Sequence, residues 1–313
     1  MGFSKEIYKE IIEEKRIERQ RAEQIFDMKS EAFYNDNPCA AELKRTIAQL
    51  AIDATVAAIK GHKGEIEKFS KMSEKMQEEL NALIGKAGLV RVYSCPDCHD
   101  TGFIGGKYCA CVHRAAKEKT RSRLSEFAPF DECTFDTFSL EYYDGKNREI
   151  MEKKTLKAVL DFCDAFPKGE NLLFLGKTGL GKTHLSIAVA DCIINKGYNV
   201  FYISAGHAVT KLENEKFGKN DQDSGFSETL TDCDLLVLDD LGTEFSSTFS
   251  RAAIYEIINE RILQNKSTII STNLSIGEIE ERYSERLSSR FIGNYKALPF
   301  LGEDIRQKKA YNK

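Results

Sequence analysis

Eight consecutive residues, Gly176, Lys177, Thr178, Gly179, Leu180, Gly181, Lys182 and Thr183, hold the densest chemistry in this chain. They fit the pattern G-x-x-x-x-G-K-[ST], in which glycines let the backbone curl so that successive N–H groups point into one cavity. Those groups, with the positive end of the helix that follows, bind phosphate oxygens. Lys182 would reach the β- and γ-phosphates of ATP, and the Thr183 hydroxyl would supply one ligand to the Mg²⁺ that bridges them. The context agrees: the apolar run 171–175 (NLLFL) reads as a buried strand before the loop, and residues 183–190 (THLSIAVA) read as a helix after it. A second run, 235–240 (LLVLDD), is an apolar strand that ends in two carboxylates. Asp239 would hold the Mg²⁺ through water, and Asp240 would face the γ-phosphate and orient an attacking water. A third run, 269–273 (IISTN), ends in a polar triplet whose Asn273 could reach the γ-phosphate or the lytic water. Alone, Ser-Thr-Asn is an ordinary strand-to-loop sequence; its place after the other two runs gives it meaning.

A different chemistry lies upstream. Cys95 and Cys98 form a C-x₂-C pair, and Cys109 and Cys111 form a C-x-C pair. The intervening segment contains Gly102, Gly105 and Gly106, which suit a short hairpin. Two thiolate pairs brought together by a turn give tetrahedral coordination of Zn²⁺, with every position filled by protein. Metal would then stand in for the core that so short a segment cannot build. Free thiols, a redox pair and an iron–sulfur cluster are the alternatives. His99 or His113 could take the place of one cysteine. The other five cysteines (Cys39, Cys133, Cys163, Cys192, Cys233) stand singly and read as small buried hydrophobes.

These groups need a scaffold. Beyond residue 146, short apolar runs at 172–175, 200–203, 235–238, 268–271 and 297–300 alternate with helical patterns such as 183–195 and 249–264. Such alternation predicts an α/β domain over 146–313, with a five-stranded parallel sheet covered by helices on both faces. Residues 1–90 read as helix, broken at Asn37-Pro38 and again near Gly61 and Gly64. Their thin apolar stripes suit either a small self-contained bundle or a docking face for a partner protein. Residues 91–115 form the cysteine module. Residues 116–145 read as a linker, first basic, then aromatic (Phe127, Phe130, Phe135, Phe138). The basic stretch Lys107, Arg114, Lys117, Lys119, Arg121 and Arg123 could follow a DNA backbone or form a solvated linker.

Composition narrows the class. The 313 residues are 42% hydrophobic and 30% charged with a net charge of −4, which suits a packed protein and does not advertise nucleic-acid binding overall. No apolar run approaches the roughly 20 residues that span a bilayer. The N-terminal sequence lacks the apolar core of a signal peptide, so a cytoplasmic protein without membrane contact is expected.

Taken together, the runs SCPDCHDTGFI, CAC, TFDTF, NLLFLGKTGLGKTHLS, DLLVLDDLGTE, IINERI, IISTNLS, YSERLSSRF and GEDIR resemble the DnaC/DnaI family of replicative helicase loaders, which share an IstB-like AAA+ core. The resemblance covers about residues 90–306. It implies an ATPase that binds a hexameric replicative DNA helicase and helps place it on single-stranded DNA. It also implies that the N-terminal helices and the zinc module meet the helicase. Asn273 would be the sensor-1 asparagine. Arg290, which fits the Ser-Arg-Phe pattern better than Arg286, would be an arginine finger entering a neighbouring subunit's site and so driving ATP-dependent self-association. Arg306 would be a sensor-2 arginine acting on its own site. The few residues after Arg290 leave no room for a helical lid. Asp240 departs from the wider AAA+ pattern, where glutamate is usual, and implies slow turnover. Two other readings are a transposition helper of the IstB type, against which the cysteine module counts, and a zinc-bearing adaptor whose nucleotide site never turns over.

Overall fold

The computed structural model describes residues 3–125, 128–168, 170–218 and 225–311; Phe127 lies outside them. The chain divides into two compact units, one of residues 10–112 and one of residues 113–313 together with 1–9.

Helix α1 (Lys5–Asp36), whose residues from Glu10 onward belong to the first unit, ends at Asn37, and Pro38 opens α2 (Pro38–Ile59). Proline is well placed there because its missing N–H would lack a helical partner anyway. Helix α3 (Lys63–Lys86) folds back on α2 across a turn at Gly61, whose φ of +76° suits glycine. The hairpin buries Leu50, Ala57 and Leu80 but leaves Ile52, Val56 and Ile59 of α2 exposed. Strands β1 (Phe103–Ile104) and β2 (Lys107–Tyr108) pair antiparallel across Gly105-Gly106, both at positive φ. A two-residue turn with positive φ at both positions matches the twist of the strands it joins.

In the second unit, α4 (Ala110–Ser125, which begins in the first unit) is followed by α5 (Gly145–Ile150), a π-helical turn at Met151–Leu156 and α6 (Lys157–Ala165). The sheet then begins. Strand β3 (Leu172–Leu175) leads to α7 (Lys182–Asn195), β4 (Val200–Ser204), α8 (Ala205–Phe217) and α9 (Phe226–Asp232). Strand β5 (Leu235–Leu241), α10 (Thr248–Leu263), β6 (Ser267–Thr272), α11 (Ile276–Arg282), α12 (Glu285–Asn294), β7 (Lys296–Pro299) and α13 (Ile305–Tyr311) complete it. All five strands are parallel, in the order β4-β5-β6-β3-β7. The last strand lies one residue before the expected 297–300, although the Phe300 N–H still donates to the Leu175 carbonyl at 2.7 Å.

Strands buried on both faces read as unbroken apolar runs rather than alternating ones. Leu172, Leu173 and Phe174 of β3, and Leu235, Leu236, Val237 and Leu238 of β5, accordingly have almost no exposed surface. Side chains of α8, α10 and α12 pack with Leu173, Leu236 and Ile270 in one core cluster. Leu185, Val189 and Ile193 of α7 are fully buried, and α7 contacts β4, β5 and β6.

Among the buried charges of this unit, Arg261 lies deepest. Arg261 of α10 is fully buried, and its guanidinium donates to the carbonyl oxygens of Leu230 (2.8 Å), Cys233 (3.0 Å) and Ser267 (2.5 Å) and to the Thr268 hydroxyl (3.0 Å). It ties the end of α9 to the start of β6.

Candidate functional site

The glycine-rich loop crosses from the end of β3 to the start of α7. Two of its glycines are required by space. A Cβ on Gly176 would lie 2.3 Å from the Phe300 carbonyl oxygen. One on Gly179, at φ +79°, would lie 2.1 Å from Asp304 Oδ1. The segment after β7 therefore lies directly on the loop, and the Ile305 N–H donates to the Gly179 carbonyl at 2.9 Å. Lys182 is buried, and its Nζ donates to the carbonyls of Gly176 (2.7 Å) and Lys177 (2.8 Å), folding the ammonium across its own loop.

The two carboxylates part company at a bulge. The β5–β6 register shifts between Leu238 and Leu241, and Asp240 takes a left-handed φ of +53°. The extra residue re-aims the side chain: Asp240 faces a cleft of about 300 Å³ that Thr178, Gly181, Lys182, Thr183 and Arg306 also line. Asp239 stays buried behind it. Its Oδ2 accepts from Tyr202 at 2.6 Å, and its Oδ1 accepts a short hydrogen bond from the Ser271 hydroxyl. The Ser271 oxygen in turn accepts the Asp240 N–H at 2.9 Å.

The charges interact across this space. Burial holds Lys182 below the usual lysine value, while Asp240 and Asp239 pull it back up and Arg306 pushes it further down. Burial raises Asp240 above the usual carboxylate range, and the Asp239 charge adds to this; Lys182 and Arg306 oppose it. Lys182, Arg306 and Asp240 thus line one cleft beside the glycine-rich loop, with Asp239 behind them, a set of charges that suits a polyphosphate with a divalent cation.

The other wall comes from the segment read as a linker. Phe138, Tyr142 and Cys133 line the cleft. Tyr143 donates to the Leu180 carbonyl at 2.7 Å, and a Cβ on Gly181 would meet Phe138 and Tyr143 at 3.1 Å each. His184 Nε2 lies 2.8 Å from the Thr134 carbonyl oxygen, which places the proton on that nitrogen. Sequence reasoning noticed the aromatic run but not that it walls the cleft. It gave no role to Asp304, Tyr202 or Ser271, although Asp304 sits within the run GEDIR and Ser271 within IISTN.

Two expected residues lie elsewhere. Asn273 is exposed just past β6 and does not line the cleft, although its strand stands between β3 and β5. Arg290 lies on α12 against α10, where Asn259 Oδ1 accepts from its Nε at 2.7 Å, and it does not line the cleft of its own chain. The basic stretch is partly committed within the fold: Lys117 donates to the Asn195 carbonyl, and Arg121 pairs with Asp191 and Asp131, both at 3.1 Å.

The four cysteines of the first unit converge. All their sulfurs lie within 4.8 Å of one another, with Cys95–Cys109 at 3.8 Å and Cys98–Cys111 at 3.6 Å. A tetrahedral ion with metal–sulfur bonds of about 2.3 Å needs sulfur–sulfur edges of about 3.8 Å, so the set fits. Neither His99 nor His113 belongs to the cluster. Backbone N–H groups of Cys98, and then Asp97, help to hold the Cys95 thiol down to about 7. Asp100 braces the knuckle. Its buried carboxylate accepts the N–H groups of Ser94 (2.7 Å) and Cys95 (2.8 Å), and Lys15 Nζ of α1 lies 3.7 Å from it. His99 and Asp100 both take left-handed φ, near +50° and +55°, a cost sustained by these bonds.

The arrangement around the loop has relatives. A family model described as IstB-like ATP binding protein matches residues 113–309, well over half of the chain. The chain belongs to this ATP-binding family. It is 26% identical over 178 residues to the replicative helicase loader DnaC of Buchnera aphidicola (subsp. Acyrthosiphon pisum, strain APS), covering 56% of this chain and 70% of that protein. It is 23% identical over 184 residues to the replicative helicase loader DnaC of Escherichia coli K12, covering 58% of this chain and 73% of the relative. A crystal structure of a DnaC helicase loader superposes with a TM-score of 0.49 at 27% identity, over 55% of this chain and 99% of that one. The family match starts at residue 113, so it includes the segment that walls the cleft. Among the described residues, no helix is long and apolar enough to cross a membrane.

Proposed function

We propose that this chain is an ATP-controlled loader that binds a hexameric replicative DNA helicase and helps place it on single-stranded DNA. The observation that carries the reading is the likeness of the ATP-binding unit to proteins named replicative helicase loaders. Lys182, Thr183, Asp240 and Arg306 lining one cleft support turnover rather than a dead site. In it, Lys182 would leave the carbonyls of Gly176 and Lys177 for the β- and γ-phosphates, and the loop N–H groups would cradle the rest. Mg²⁺ would neutralise phosphate charge, with Thr183 and Asp239 as its residues. Asp240, aimed into the cleft by the bulge, would orient the attacking water, and Arg306 would steady the phosphates from α13. Asn273 would act from the loop after β6. Arg290, turned away from its own cleft, would complete the cleft of a neighbouring copy, so self-association would depend on ATP.

The cysteine cluster is proposed to hold one structural Zn²⁺, since four protein sulfurs leave no open position for chemistry. With α1–α3 it would form the arm that meets the helicase, and the exposed apolar side chains of Ile52, Val56 and Ile59 on α2 support that role.

The test is co-purification with the replicative helicase of the host, with and without ATP. A complex whose stability changes with nucleotide is expected; no complex in either condition would sink the loader reading. Metal analysis of the purified chain should find close to one zinc per molecule.

A further inference from the structure

The surroundings of Arg290 differ from those of an ordinary surface arginine. Its Nε donates to Asn259 Oδ1 at 2.7 Å, and its Cζ lies 4.7 Å from the centre of the Tyr255 ring. One terminal nitrogen makes a long contact, 3.4 Å, with the Arg286 carbonyl. The other has no partner among the described residues, and no carboxylate pairs with this guanidinium there. Tyr255 and Asn259 are one turn apart on α10, so both act from the same helix face. Leu287 and Phe291, buried on either side of Arg290 in sequence, fix α12 against the core.

The chemistry of the two partners matters. A carboxylate would hold the guanidinium but cancel its charge. An amide oxygen and an aromatic face restrict its rotation while leaving the charge intact. A long side chain rich in rotamers is thereby ordered before it meets its target.

We infer that Asn259 and Tyr255 are positioning residues for Arg290. They hold the guanidinium in one pose, Nε side clamped and terminal side available, for the phosphates bound in a neighbouring copy of this chain. The inference rests on the reading that Arg290 completes a neighbour's site.

The test measures ATP hydrolysis by full-length protein assembled with helicase and single-stranded DNA, alongside affinity for a fluorescent ATP analogue and Tm. Arg290→Ala should abolish stimulated hydrolysis. Asn259→Ala and Tyr255→Leu should each lower kcat by about 10–100-fold, the scale expected for a misplaced catalytic group, with nucleotide affinity and Tm unchanged. Tyr255→Phe, which keeps the ring, should behave as wild type. Asn259→Asp, which keeps an acceptor but adds a neutralising charge, should lose kcat. In mixtures, Lys182→Ala subunits should restore hydrolysis to Arg290→Ala subunits by donating their arginine; the Lys182→Ala, Asn259→Ala double variant should not. If Arg290→Ala hydrolyses ATP as wild type does, or if wild type never hydrolyses it, the reading of a neighbour-completed site fails. If Arg290→Ala is inactive while Asn259→Ala and Tyr255→Leu keep full kcat, that reading stands and the positioning role is overturned.

Discussion

Gly179 offers the sharpest test of how the loop and the last segment depend on one another. In Gly179→Ala the new methyl would lie 2.1 Å from Oδ1, 2.2 Å from Cγ and 2.6 Å from Oδ2 of Asp304, so the whole carboxylate must move. Asp304 Oδ1 accepts the N–H of Arg306 at 2.8 Å and approaches that of Gln307 at 3.4 Å. Moving it uncaps α13, at a cost of about 1 kcal/mol. The backbone at φ +79° adds about 1–2 kcal/mol for a residue with a Cβ. Together these give about 2–3 kcal/mol, or a fall in Tm of roughly 5–10 °C for a domain of this size. Because Arg306 rides on the same turn, ATP affinity should fall as well. Asp304→Ala alone should cost about 1 kcal/mol, the cap only. The double variant should then cost no more than Gly179→Ala alone, since the cap is lost once in either case. Thermal unfolding of the four proteins, with nucleotide titrations, measures each term. Strict additivity of the two substitutions, or a Gly179→Ala protein with unchanged Tm, would refute the claimed contact.

Other outcomes follow from neighbouring observations. As pH falls, hydrolysis should fail above the ordinary carboxylate range, because burial and Asp239 favour the protonated form of Asp240; Asp240→Asn should abolish this acid limb along with the activity. At the alkaline end, nucleotide binding should weaken below the ordinary lysine range, because burial favours neutral Lys182; nucleotide titrations across pH check this. Asp100→Ala should leave two buried N–H groups unpaired at the cysteine knuckle and lower zinc affinity, read by competition with a chromogenic chelator, without changing ATP affinity. Arg261→Met should cost about 3–5 kcal/mol by stranding several buried carbonyls. Arg261→Lys should be destabilised as well, since an ammonium lacks the fork that reaches both α9 and β6; a Tm equal to wild type would contradict it.

Much of the nucleotide site was legible in sequence because its chemistry is local. A phosphate loop needs its glycines, lysine and threonine in one short run, and a buried parallel strand announces itself as an unbroken apolar stretch. The apolar runs therefore locate the strands within a few residues, and the paired cysteine spacing alone announces a cluster. The wall of the cleft was less legible: the aromatic run was visible, but nothing local says that Phe138 and Tyr143 will press against Gly181.

Residue types and their spacing thus establish which groups exist and what each can do: bind phosphate, carry a carboxylate to a strand end, gather four thiols. Tertiary structure alone decided which of them meet. The bulge at Asp240 separates two adjacent carboxylates, one into the cleft and one onto Tyr202 and Ser271. Asp304 covers Gly179 across more than a hundred residues of chain. Arg290 faces α10 instead of its own cleft. These outcomes depend on strand order, register and the direction of a helix face, and such long-range relations leave no mark in the spacing of residues along the chain.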